Sequence, residues 1–400
     1  MTDEPIPELD DALMDALCDA VLGVPEPAAA AALAALCAAH PAAAPALRRR
    51  AASMLAAERV LPAAFLPEPD PVTIGGHRVV RRLGSGAFGI VYLCEQAAPV
   101  RRAVAVKVLR PGAGDRNTLP RFAGERQALA RMSHPAIAQV HDAGAMPDGR
   151  PYFVMEFVDG VPITEHCARA GASVDARLDL FLQLCDGVQH AHQRGLIHRD
   201  LKPSNVLVAK GDRPQPKVID FGLAKALFAA TEDAAVSDGM PLGQPTESGR
   251  VLGTPGYMSP EQASGQVADV DTRSDVFALG VILFELLTGA RPWPAGAPGG
   301  EPPLASTRAP TLASVLRGDL DWILRKSLQP EREHRYASVR EFADDLHRHR
   351  RNEPVLAGPP STSYRLRKFV RRHRLLVTAS ALVAASGALG LVGVLRYADR

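Results

Sequence analysis

One short span constrains this chain more than any other feature: His198-Arg199-Asp200-Leu201-Lys202-Pro203-Ser204, followed at once by Asn205. It sets an acid, an amide and two cations between a segment that reads as a helix and one that reads as a strand. Asp220-Phe221-Gly222 comes fifteen residues after Asn205. Phosphoryl transfer needs such a set: a carboxylate to orient a hydroxyl, an amide and a second carboxylate for Mg²⁺, and a lysine for the moving charge. Each triplet alone is weak. The order and spacing make the signal strong.

Upstream, Gly84-Ser85-Gly86-Ala87-Phe88-Gly89-Ile90-Val91 has the pattern Gly-x-Gly-x-x-Gly-x-Val. Glycines suit a backbone that comes close to phosphate oxygens, where a Cβ would clash. A dinucleotide-binding fold shares the spacing, but there the loop opens a helix. Here Ile90-Val91-Tyr92-Leu93 continues as a strand, and Ala105-Val106-Lys107 on the next strand aims a lysine at phosphates. Lys107 needs a counter-ion. Glu125, in the helical stretch 118–132, is the natural candidate, although a lone glutamate on a charged helix is ordinarily a surface residue.

The texture along the chain gives the organisation. Residues 1–66 form an Ala-rich helical module broken by Pro25, Pro27, Pro41 and Pro45, and 67–76 read as a Pro-rich linker. Val79-Val80, 90–93, 104–109 and 152–156 then read as strands, and helices dominate from Val174. Strands first and helices later describe an α+β domain of two lobes, a small β-rich one and a larger helical one. Residues 223–252 lack periodicity and read as a mobile, functional loop.

With those residues in place, 77–348 resemble the eukaryotic-type protein kinase catalytic domain in its bacterial Ser/Thr form, over roughly two-thirds of the chain. The resemblance implies an enzyme that moves the γ-phosphate of ATP to serine or threonine hydroxyls of proteins, with Mg²⁺ or Mn²⁺. It makes Asp200 the residue that accepts the substrate hydroxyl, Lys202 the catalytic-loop lysine, Lys107 the ATP lysine and Glu125 its partner. Asn205 and Asp220 become the metal ligands. Ser85, Ala87 and Phe88 join Gly84, Gly86 and Gly89 over the phosphates. Leu83, Val91, Ala105 and Leu207 would sandwich the adenine, Met155 would close its back, and Glu156 and Val158 would offer backbone hydrogen bonds. Gly253 to Glu261 looks like the substrate-docking segment, with Ser259 where alanine is more usual. Asp275 resembles the buried aspartate of the central helix, and Arg335 the partner of Glu261. The alternative is a pseudokinase or scaffold that signals by binding; its usual mark, loss of Lys107, Asp200 or Asp220, is missing. A small-molecule kinase is the third reading, and the 253–261 segment argues for protein instead.

Arg199, a cation beside Asp200, suggests control by a phosphate on the loop. By resemblance to bacterial relatives, Thr246 and Ser248 are the candidate autophosphorylation sites. Lys plus Arg is 46 against 44 Asp plus Glu, a formal charge of +2 that gives no reason to expect nucleic acid. Arg365, Arg367, Lys368, Arg371, Arg372 and Arg374 nevertheless crowd together, and 375–395 carry no charge. A helix of that length spans roughly 30 Å, the thickness of a bilayer core. With basic residues on its N-terminal flank, the expectation is one transmembrane helix in the inner membrane, a cytoplasmic kinase domain, a juxtamembrane segment 349–374 against anionic lipid and a short tail 396–400. Ser386-x-x-x-Gly390 suggests a homodimer through that helix. The acidic N-terminus does not read as a secretion signal. The five scattered cysteines read as free thiols, Cys94 near the glycine loop included.

Overall fold

Strand β4 (Arg102–Leu109) is buried from Val104 onward, where Val104, Val106 and Val108 alternate onto one packed face. The computed structural model that places it describes residues 17, 26–41, 43–51, 70–86, 89–98, 100–109, 132–211, 213–221, 255–264, 270–293, 300–359, 361–375, 377–380, 382 and 385–387. The chain divides into two compact units, Met1–Pro71 and Val72–Arg400. In the first, helix α1 (Glu26–Ala39) carries Pro27 in its opening turn, and Pro41 follows its end. Cys37 of α1 packs with Leu17, Leu47 and Ala51 in a small core.

The second unit begins with β1 (Thr73–Ile74), which pairs antiparallel with β2 (His77–Gly86). Residues 73–76 of the expected linker are therefore strand and turn, held because Ile74 is fully buried. With β3 (Gly89–Gln96), β5 (Val140–Ala145) and β6 (Pro151–Glu156) they complete an antiparallel sheet of order β1-β2-β3-β4-β6-β5. Its core is Ile74, Tyr92, Val104, Val106, Val108, Tyr152 and Val154. Burial pushes the Cys94 thiol up to about 11, so it packs there as an inert group.

A smaller sheet, β7 (Gly160–Pro162), β8 (Val206–Ala209) and β9 (Gln215–Val218), lies against the helical lobe. Helix α2 (Ile163–Arg169) leads to α3 (Val174–His192), whose N-terminus is capped by the Ser173 hydroxyl. Helix α4 (Thr272–Thr288) is apolar on nearly every face after Asp275 and correspondingly buried, from an Asp271 cap to Gly289 in the left-handed conformation (φ 77°). Phe181 of α3, Phe277 and Phe284 of α4, Ile323 of α5 (Asp319–Ser327) and Phe342 of α6 (Val339–Arg350) share one core. Position 348, the expected domain end, falls inside α6, and α7 (Thr362–Arg372) follows it. Among the described residues no helix is long and apolar enough to cross a membrane. Much of 375–395 lies outside them, as do the expected loop 223–252 and all but Met132 of the stretch 118–132.

Candidate active site

The catalytic loop hangs from the end of α3 and is fixed by one buried carboxylate. Asp275 accepts the backbone N–H of His198 at 2.8 Å and of Arg199 at 2.9 Å, and Nε2 of His192 approaches it to 2.7 Å. Burial alone would raise its pKa, yet the hydrogen bond and charge of His192 and the donors at His198 hold it below the usual carboxylate range. Such anchoring is needed because Arg199 sits at φ 63°, a left-handed conformation that a non-glycine residue adopts only under constraint. Asp220 shows the same strain, at φ 59°. His198, fully buried, has its pKa lowered by desolvation. As neutral imidazole it accepts from the Asp200 N–H at Nδ1 (3.2 Å) and donates from Nε2 to Ile219 O (3.3 Å), which ties the two strained segments together.

Around Asp200 the expected polar set converges. Asn205 donates from Nδ2 to the Asp200 carbonyl (2.9 Å) and to its Oδ2 (3.3 Å), and Lys202 Nζ lies 3.2 Å from the same Oδ2. Asn205 O accepts from Ile219 N–H (2.9 Å), which carries the chain directly to Asp220. Lys107, buried at 4 % exposure, donates to both oxygens of Asp220 at 2.5 Å. A buried ammonium requires such a partner. Glu125 lies outside the described residues.

The donor set suits Mg²⁺. Asp220 offers hard carboxylate oxygens, and because the Asn205 nitrogen points to Asp200, its amide oxygen is the end left for a cation. No three His, Cys, Asp or Glu residues among those described converge into a metal cage. One carboxylate and one amide leave most of an octahedral shell to phosphate and water, the usual manner of Mg²⁺ at a nucleotide.

The glycine loop separates two requirements. A Cβ on Gly89 would lie 2.2 Å from Val108 O, so the close approach of β4 demands that glycine. At Gly84 and Gly86 a Cβ would meet nothing within 4 Å among the described residues. Packing does not require glycine there, whereas phosphate oxygens approaching the backbone would. Ser85 stands opposite Ile90 across the hairpin, while Ala87 and Phe88 lie outside the described residues. Along β4, Ala105 and Lys107 share one face, and the register sets Ala105 opposite Leu93 and Met155, Lys107 opposite Val91 and Phe153. Leu83 is exposed on β2, and Val91 and Leu207 are half-buried. After Glu156 the chain leaves the large sheet, with Val158 buried in the connection to β7.

On the other side, Arg335 clamps Glu261 through two bonds of 2.7 and 2.8 Å, and Ser274 Oγ adds a third at 2.7 Å. Burial by itself raises Glu261, but these donors bring it down to about 2. Gln262 then donates to the carbonyl of strained Arg199 at 2.8 Å. Ser259 is fully buried and meets Gln262 Oε1 through its N–H and its hydroxyl, each at 3.2 Å. Thr246 and Ser248 lie outside the described residues, as do Gly253 and Thr254. The sequence did not single out His192, Gln262 or Lys217. Lys217 on β9 bonds both oxygens of Glu156, at 2.7 and 2.9 Å. Each acts across a long sequence separation, and only the alternation of β9 hints at Lys217.

Comparison with known proteins fits this geometry. The protein kinase domain model matches residues 77–337. The serine/threonine-protein kinase Pkn1 of Myxococcus xanthus is 37% identical over 298 residues, covering 71% of this chain and 40% of its own. PknB of Mycobacterium tuberculosis is 36% identical over 281 residues, 68% of this chain and 42% of its own. The chain thus spans about two-fifths of the length of these relatives. The crystal structure of the Mycobacterium tuberculosis PknI kinase domain superposes with a TM-score of 0.53 at 33% identity, covering 70% of this chain and 99% of that one.

Proposed function

The chain belongs to the protein kinase family, and we propose that it transfers the γ-phosphate of ATP to serine and threonine hydroxyls of proteins. The observation that carries this reading is the convergence of Lys202 and Asn205 on Asp200, with Asp220 held by Lys107. Asp200 accepts the hydrogen bond of the incoming hydroxyl and directs its oxygen at the γ-phosphorus. Asn205 locks the Asp200 backbone, so the carboxylate cannot swing away from that line. Lys202 steadies the charge on the transferring group, and Lys107 holds the phosphates behind it. Mg²⁺, held by Asp220 and Asn205, would neutralise charge on the phosphate oxygens. Glu125 is assigned as the second partner of Lys107.

Incubating the full chain with Mg-ATP and a generic protein substrate tests this. We expect phosphoserine or phosphothreonine, and a loss on the order of 10²–10⁴-fold on Asp200→Asn. Equal incorporation by both proteins would remove the assignment. ATP binding without transfer would make the chain a scaffold.

Membrane attachment belongs to the same proposal. The basic cluster before the uncharged stretch 375–395 supports a single span with the kinase domain on the cytoplasmic side. Ser386-x-x-x-Gly390 would pair two such spans. Phosphate on Thr246 or Ser248 would compensate Arg199. Replacing both by alanine should then lower activity several-fold, and unchanged activity in a phosphate-free preparation would exclude that control.

A further inference from the structure

Helix α7 is amphipathic in the reverse sense for a globular domain. Its polar side faces the protein: Tyr364 and Lys368, one turn apart, are both buried. Tyr364 donates from its hydroxyl to Asp319 Oδ1 at 2.8 Å and accepts from Val355 N–H at 3.1 Å, while Lys368 Nζ bonds Asp319 Oδ2. Trp322 meets the Tyr364 ring edge-on at 5.3 Å. Gly358 makes room for that indole, since a Cβ there would lie 3.1 Å from it. Residues 355–358 and helix α7 are therefore clasped to the helical lobe.

The apolar side faces outward. Leu366, Phe369 and Val370 follow the i, i+3, i+4 spacing of one helical face, and are 63%, 52% and 40% exposed. They lie about half a turn around the helix from Tyr364 and Lys368. A surface helix ordinarily buries this stripe and shows its charges. We propose that α7 lies on an anionic lipid surface, with Leu366, Phe369 and Val370 in the acyl boundary and the flanking Arg365 and Arg367 among the headgroups, so that the clasp fixes the orientation of the kinase domain.

Charge selects the occupant. Residues 362–374 hold several arginines and no acid, which suits phosphate headgroups of an anionic leaflet. A second copy would bring two sets of arginines face to face. Three side chains also fall well short of the roughly 800 Å² per partner of a standard protein interface. Only His373 and Arg374 separate α7 from the uncharged stretch 375–395, so the stripe ends where the chain would enter the bilayer. The inference builds on the membrane-attachment proposal, and the test keeps the two apart.

The probe is the full chain carrying Phe369→Trp, reconstituted with vesicles of phosphatidylglycerol and dibrominated phosphatidylcholine. The parent chain supplies the background of Trp293 and Trp322. A stripe seated about 5–10 Å into the interface predicts a roughly twofold quenching of the added indole. Quenching should weaken when phosphatidylcholine replaces phosphatidylglycerol, and when Arg365 and Arg367 become glutamine. A vesicle-bound chain whose added indole is unquenched overturns the seating of α7 and leaves the span standing. Quenching of a chain that alkaline carbonate strips from the vesicles upholds the seating and removes the span. Failure to bind vesicles removes both. A concentration-dependent blue shift without lipid quenching would assign the stripe to a second copy and overturn the proposal.

Discussion

Asp275 and Asp319 are both buried carboxylates that gather three donors, yet they do different work. Two of the donors to Asp275 are backbone N–H groups, those of His198 and Arg199. Every donor to Asp319 is a side chain: the Tyr364 hydroxyl, His349 Nδ1 at 2.9 Å and Lys368 Nζ. Backbone donors cannot rotate away, so Asp275 fixes dihedral angles and can hold Arg199 in a conformation it would not choose. Side-chain donors fix only which elements touch. The catalytic loop needs the first kind of hold, and the C-terminal clasp, which joins α7 to α5, needs only the second.

The largest test breaks the backbone hold. Asp275→Asn places an NH₂ among donors and leaves one acceptor oxygen, so at least one buried N–H loses its partner. At about 1–3 kcal/mol per unsatisfied group, and with the strain at Arg199 free to relax, kcat should fall on the order of a hundredfold. KM for ATP should move little, because Lys107 and the glycine loop are untouched. A variant that keeps full kcat and normal stability would show that the loop holds itself.

Asp319→Ala breaks the side-chain hold. Losing about 2 kcal/mol of local stability should raise the open population of residues 351–372 roughly thirtyfold, read as faster limited proteolysis there. Activity on a soluble peptide should change less than twofold, because no hydrogen bond to Asp200 or its neighbours is altered. A large loss of activity would mean that the two holds are coupled.

Acid gives a smaller, graded version of that break. Burial by itself raises Asp319, but hydrogen bonds from His349, Lys368 and Tyr364 outweigh it and bring the carboxyl down to about 2. The folded value lies below the unfolded one near 4, so the stabilisation is complete above about pH 4 and is lost as pH falls through about 2. The stability difference between the natural chain and Asp319→Asn in urea should therefore be flat near neutrality and close over that acid range. A difference that instead closes towards high pH would assign the clasp to another group.

These two regions also differ in how far the sequence displayed them. The cleft was legible because its groups are local: Asp200, Lys202 and Asn205 share one short loop, and Lys107 and Ala105 share one face of a strand. Glycine alone did not reveal that Gly89 serves packing while Gly84 and Gly86 are open, since that distinction depends on how near β4 comes. The clasp was not legible. Asp319, His349, Tyr364 and Lys368 are scattered, and 349–374 read as one basic juxtamembrane segment against anionic lipid, with no residue in it turned toward the protein. The i, i+4 pair Tyr364 and Lys368, set opposite Leu366 and Phe369, was the available signal, and the arginines around it masked it. His192 and Lys217 act over separations of 83 and 61 residues, so local periodicity could not name their partners.

Lys217 places a side-chain hold beside the chemistry and so sharpens the contrast. Its ammonium bonds both oxygens of Glu156, whose own N–H donates to Gln139 O at 2.8 Å, at the point where the chain leaves β6 for the connection to β7. Turning the Glu156 side chain toward β9 helps set the direction of its backbone, which by the resemblance would hydrogen-bond adenine. Lys217→Met keeps the stem and removes the charge. Glu156 is 32% exposed at its side chain and can rehydrate, so the pair contributes little beyond orientation. At about 0.5–1 kcal/mol, KM for ATP should rise roughly two- to fivefold with kcat unchanged. A fall in kcat to match would mean that a side-chain hold can govern the reacting geometry, and the division between the two kinds of hold would then fail at the hinge.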